Sequence, residues 1–109
     1  MPKHEFAMMP NEPEKGKSYE EYEPQKFACI SVDDEALESV AEKLGEIDFY
    51  HHAVDVPKKG LAWCGITLIP PSALKDFIKA IGENSELAKL KALLETAQMF
   101  GKWVIHFGI

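Results

Sequence analysis

GLAWCGITLIPPSALKDFIKAIG, residues 60–82, runs from an uncharged apolar segment through two prolines into a segment of helical periodicity. Pro70 and Pro71 lack amide protons, so they end a strand's ladder and suit the first turn of a helix, where those donors have no partner. Residues 61–69 therefore read as a strand. Leu74, Phe77, Ile78 and Ile81 then form the buried stripe of a helix that Gly82 closes. The stretch contains no reacting group in a catalytic pattern.

Upstream, residues 47–56 (IDFYHHAVDV) are rich in aromatic and β-branched side chains and end at the turn-like Pro57-Lys58-Lys59-Gly60. The two runs read as a β-hairpin. Residues 27–32 (FACISV) form an earlier strand, followed by Asp33 and Asp34 as helix caps and by Leu37, Val40, Ala41 and Leu44 at one-face helical spacing, with Gly45 as the stop. Downstream, Asn84 or Ser85 caps a third helix with Leu87, Leu90, Leu94 and Ala97 on one side and Gly101 at its end. Residues 103–107 (WVIHF) are the last strand.

The order β-α-β-β-α-α-β, with the third helix as an insertion, predicts an α+β fold: a ferredoxin-like sandwich, an antiparallel sheet with helices on one face. Its usual strand order is 4-1-3-2. The alternative is another open α+β sheet to which the N-terminal arm adds an edge strand.

Composition bounds the rest. The 109 residues suffice for one modest core, read as a single domain over residues 27–109 preceded by an arm, residues 1–26, with Pro2, Pro10, Pro13 and Pro24 among Glu and Lys. Within the arm, Phe6, Met8, Tyr19 and Tyr22 are docking candidates, and residues 4–9 suit a short edge strand. The net charge of −6, the absence of Arg and the lack of any lysine-dominated window make nucleic acid and anionic membranes poor partners. No apolar run approaches a membrane span or a signal-peptide core, so a cytoplasmic location is expected. Cys29 and Cys64 sit in apolar runs, where reduced thiols act as small hydrophobes.

Strand alternation divides the side chains into two sets. Ala28, Ile30 and Val32 with Ala62, Cys64, Ile66 and Leu68, joined by Trp103, Ile105 and Phe107, fit a face under helices. The open face then presents Phe27, Cys29, Ser31, Trp63, Gly65, Thr67, Val104 and His106, with His51 or His52 from the hairpin. Apolar residues there call for a cover: the arm, a second copy of the protein, or a small ligand.

The chemical constellations are weak. His51 and His52, as neighbours on a strand, point to opposite faces, and the 4-1-3-2 order puts His51 and His106 three strand spacings apart, roughly 14 Å, so no metal site is expected. Cys29 and His106 would lie on adjacent strands, but with no orienting group or oxyanion hole, a packed Cys and a packing His is the simpler reading. Asp33-Asp34-Glu35 fits helix capping better than cation binding. No cofactor motif occurs.

CISVDDE (residues 29–35), GLAWCGITLIPPSAL (60–74) and IHFGI (105–109) resemble segments of a family of short bacterial proteins of unknown function. The resemblance implies a compact bacterial cytosolic domain and transfers no catalytic residue. Two function classes follow. One is a non-enzymatic interaction module, with the open face covered by its arm or by a twin in a homodimer. The other is a small-molecule site, in which enzymatic chemistry stays open, lined on that face by Phe27, Cys29, Tyr50, either His51 or His52, Trp63, Thr67 and His106.

Overall fold

The computed structural model describes residues 2–19 and 23–109; Tyr22, expected to dock, lies outside the described residues. The strands are β1 (Lys3–Met8), β2 (Ile30–Asp33), β3 (Asp48–His51), β4 (Pro57–Lys59), β5 (Ile66–Ile69) and β6 (Val104–Phe107). The helices are α1 (Asp34–Glu38), α2 (Ala41–Leu44), α3 (Pro71–Ile81) and α4 (Ala88–Phe100), with single 3-10 turns at Pro24–Lys26 and Ser85–Leu87. No helix among the described residues is long and apolar enough to cross a membrane.

All six strands join one antiparallel sheet in the order β2-β1-β6-β5-β3-β4. The fold is α+β as expected, but the ferredoxin-like topology is not the one formed. The arm strand, expected at an edge, runs inside the sheet between β2 and β6, so the strands expected as neighbours are separated by β1. The cause is legible in KHEFAM: its alternation buries His4 and Phe6 on one face, and its backbone pairs on both sides, Phe6 opposite Ile30 and His106. The arm's first residues thus belong to the core rather than to a linker.

The expected hairpin is also rearranged. The chain reverses at residues 52–56, where His52 takes the left-handed φ of 67°, His51 N–H donates to Val56 O and Val56 N–H to Ala53 O. Residues 57–59 then form β4 rather than a turn, and β3 lies between β4 and β5. β4 is an exposed edge carrying Pro57, Lys58 and Lys59, residue types that discourage further strand pairing. Residues 61–65, read as strand, leave the sheet in a turn closed by Gly65 N–H to Ala62 O at 3.0 Å.

The expected first helix is two pieces. Ser39 Oγ donates to Ala36 O at 2.6 Å, and Val40 departs from helical geometry at φ −114°, ψ 6°, between α1 and α2. Asp33 occupies the N-cap position of α1 without making a side-chain cap bond. The prolines act as read: Pro70 precedes α3 in extended conformation, and Pro71 opens it. Asn84 accepts from Glu86 N–H at 3.0 Å and starts the turn leading into α4, whose stripe of Leu90, Leu94 and Ala97 is buried.

The two sheet faces are each covered, by different material. All four helices join Phe6, Val32, Phe49, Ile69 and Val104 in one cluster. Ala7, Met9, Ile66, Leu68, Ile105 and Phe107 form a second, against which Tyr19, Phe27, Cys29, Tyr50, Val54 and Trp103 pack, with no helical residue among them. The expected face assignment of β5 and β6 is therefore reversed. Registers Thr67–His106 and Phe6–His106 place Thr67 and His106 on the helix side, while Ile66, Leu68, Ile105 and Phe107 face the arm. A one-residue change of phase switches every side chain of a strand, and with apolar residues in both sets the pattern in ITLI and VIHF is symmetric enough to read either way.

Candidate functional site

The candidate residues for the open face do not come together in the structure. Phe27, Cys29 and Tyr50 lie on the arm side, whereas His51, Trp63, Thr67 and His106 are at the helix side or its rim, and His52 sits in the β3–β4 turn. Cys29, which immediately precedes β2, and His106 are thus on opposite faces with β1 between β2 and β6, which removes the thiol–imidazole pair. Cys29 Sγ donates to Pro24 O at 3.3 Å, and burial, with the Glu5 carboxylate adding to it, pushes the thiol up to about 11. Such a thiol is inert near neutral pH. Cys64, expected in the core, is exposed because residues 61–65 turn out of the sheet.

On the helix side the structure assembles a continuous polar chain. His4 Nε2 lies 2.8 Å from Asp34 Oδ1, His4 Nδ1 2.8 Å from His106 Nε2, and His106 Nδ1 3.1 Å from Thr67 Oγ1. Trp63 Nε1–H donates to Asp34 Oδ1 at 2.8 Å, and Ala62 N–H donates to Thr67 Oγ1 at 2.8 Å. His4, His106 and Thr67 have no solvent exposure, whereas the Asp34 side chain retains 18%. The Phe6 ring lies tilted against the His106 ring at a centroid distance of 4.8 Å, and the two imidazoles lie nearly parallel with centroids 5.0 Å apart.

Each member is positioned by local structure. β1 and β6 pair side by side, bringing His4 and His106 together diagonally across the seam. Asp34, at the start of α1, is tied back to the sheet by its N–H to Pro2 O. Trp63 is swung over Asp34 by the 62–65 turn, which Gly108 N–H to Gly65 O and Ile109 N–H to Trp63 O clamp against the C-terminus. Gly108 is required there, because a Cβ would lie 2.7 Å from the Trp63 carbonyl carbon.

The electrostatics follow from this placement. The His4 hydrogen bond holds the Asp34 carboxyl below its usual range against partial burial, aided by the Trp63 indole. Burial, then the neighbouring His4 and His51, holds the His106 imidazole well below its usual range. His51 lies two strands from His106 across Thr67, not three as expected, with its Nε2 2.8 Å from Gly60 O. No group of three His, Cys, Asp or Glu among the described residues has metal-holding geometry.

Sequence reasoning missed His4 and Asp34. The alternation of KHEFAM is the signal that places His4 beside Phe6 on a buried face; nothing local marks Asp34 as more than a capping residue.

The arm side contains a different feature. Where the arm crosses the sheet, a cleft of about 320 Å³ remains, floored by Ile66, Ile105 and Phe107, walled by Phe27 and rimmed by Lys17, Tyr19, Glu23 and Lys26. Tyr19 N–H to His52 O anchors the arm beside it, Lys17 Nζ sits 4.8 Å over the Tyr19 ring, and Lys26 pairs with Glu23. Trp63, Thr67 and His106 take no part in this cleft, because they project from the other side of the sheet. Comparison with protein-family models, with curated proteins and with solved structures gives no match.

Proposed function

We propose that the protein is a non-enzymatic binding module, and that the cleft between arm and outer sheet face takes a small organic ligand with an apolar body and an anionic end. The observation that carries this reading is the space left above Ile66, Ile105 and Phe107, whose volume falls in the ordinary range for small-molecule sites. Among the described residues, the rim carries Lys17 and Lys26 against Glu23, a balance that favours an anion. The inert Cys29 thiol beside the cleft and the location of both buried histidines behind the sheet argue for binding rather than catalysis. A cytosolic setting is supported by the two free cysteines.

The test is saturation-transfer NMR with a panel of aromatic and aliphatic carboxylates, with 8-anilinonaphthalene-1-sulfonate as fluorescent competitor. The expected result is saturable one-to-one binding that Lys17→Glu weakens and Ile105→Phe blocks while the far-ultraviolet spectrum is retained. Absence of saturable binding across the panel, or binding indifferent to both substitutions, refutes it.

Self-association is a second reading, supported by Met99 and Phe100 at the end of α4, which are 79% and 64% exposed. Sedimentation velocity of the protein and of Phe100→Glu tests it: a concentration-dependent dimer lost in the variant supports it, a monomer at 100 μM or so refutes it.

A further inference from the structure

The chain from Asp34 to Thr67 fixes its own protons. An ionised Asp34 only accepts, so His4 presents Nε2–H to it. With His4 neutral, its bare Nδ1 must accept from His106 Nε2–H; the bare Nδ1 of a neutral His106 then accepts from the Thr67 hydroxyl, which is itself supplied by Ala62 N–H. Every donor and acceptor on the line is used, in one direction.

One added proton is accommodated by reversal. The His106 Nε2 proton passes to His4 Nδ1 and the added proton sits on His106 Nδ1. His4 as imidazolium then donates to Asp34 and to His106 Nε2, while neutral His106 donates Nδ1–H to Thr67 Oγ1. A second proton has no place: two imidazolium rings would oppose N–H to N–H across 2.8 Å, with one carboxylate for two charges. The titratable groups facing the pair are Asp34 from α1 and His51 from β3, which bonds to Gly60 O; His52 in the β3–β4 turn lies against Gly65. The core cluster on this side of the sheet takes Val32 from β2 and Leu74, Phe77, Leu90 and Leu94 from α3 and α4, none of them titratable.

We propose that His4 and His106 form an acid-released latch: they hold β1 in the centre of the sheet while the pair carries at most one proton, and the second proton unzips β1 and the arm that follows it. The burial that disfavours a charged His106 acts in the same direction. Among the described residues β2 pairs with β1 alone, and the arm continues from β1 over Ile66, Ile105 and Phe107. Release therefore uncovers the outer face. The latch stands on the hydrogen-bonded chain alone and is independent of the binding reading.

The test is residue-resolved amide exchange of the full chain from pH 7.5 to 5, corrected for intrinsic rates, with imidazole ¹⁵N spectra on the same samples. Expected at pH 7.5 is a neutral His106 imidazole that carries its proton at Nε2. As pH falls below about 6.5, opening of residues 4–8 should rise about tenfold per pH unit for each net proton taken up, while α3 and α4 stay protected. His106→Gln, which can still donate to His4 but cannot charge, should show no such acceleration. Three results would overturn the latch: β1 opening that is flat with pH, both imidazoles charging with β1 still protected, or helix amides opening in step with β1. Wild-type protein suffices for all three, so a failure of the variant to fold leaves the proposal testable.

Discussion

Replacing Thr67 by Val changes shape little and removes one hydroxyl, yet the structure makes it an expensive substitution. Oγ1 accepts from Ala62 N–H at 2.8 Å and supplies the proton to His106 Nδ1 at 3.1 Å, and the side chain has no solvent exposure. In the variant, His106 Nδ1 is a buried acceptor without a partner, which costs about 1–3 kcal/mol. The Ala62 amide is only part-buried and adds less, so the total is about 2–4 kcal/mol. For a chain of this length that lowers the thermal midpoint by roughly 10–20 °C and the urea midpoint by about 1–3 M. Thr67→Ser is the control, since it keeps the hydroxyl and gives up a buried methyl for about 1 kcal/mol. Urea titrations at pH 7.5 followed by tryptophan fluorescence should therefore rank wild type above Ser and Ser above Val. A Val variant as stable as the wild type, or more stable than Ser, refutes the role given to the hydroxyl, because hydrophobicity and strand propensity both favour Val.

Other substitutions probe separate parts of the structure. The Asp34 carboxyl is held below its usual value of 3.8, so its contribution is fully present above that pH and is lost as pH falls through the lowered value; Asp34→Asn should be less stable than wild type at pH 7 with a shallower acid limb below pH 4, and parallel profiles would contradict this. Gly108→Ala drives a methyl into the Trp63 carbonyl and should cost about 2–3 kcal/mol or more, whereas Gly101→Ala, at φ +62° with open space around it, should cost about 1–2 kcal/mol; calorimetry giving the reverse order refutes the clamp. With its thiol near 11, native Cys29 has only about 0.1% thiolate at pH 8, so iodoacetamide should add once, at exposed Cys64, by mass spectrometry. Rapid double alkylation of folded protein would count against that environment.

Local chemistry was enough for several elements. Two prolines between an apolar run and a 3.6-residue stripe place the β5–α3 junction, and Asn84, Leu90, Leu94, Ala97 and Gly101 delimit the turn and helix that follow. These signals act within one turn of the backbone, so the sequence carries them without reference to distant residues. Ser39 breaking the first helix and His52 reversing the chain are also local, but their side chains compete with ordinary helix and strand readings, and only the surrounding packing favours the exception.

Residues 60–82 by themselves determined a strand, a proline junction and a helix, and with the remaining periodicity an α+β class for the chain. Tertiary structure decided the strand order, because pairing energy is nearly indifferent to which strand supplies it and KHEFAM can fill an interior place as well as an edge. It decided the faces too: ITLI and VIHF offer apolar side chains on both sides, and only the fit of Thr67 and His106 to His4, across more than sixty residues of chain, selects one. The histidine line and the arm-side cleft depend on that choice, since hydrogen bonds and cavities are properties of distances between residues, and the sequence orders those residues without specifying how far apart they lie.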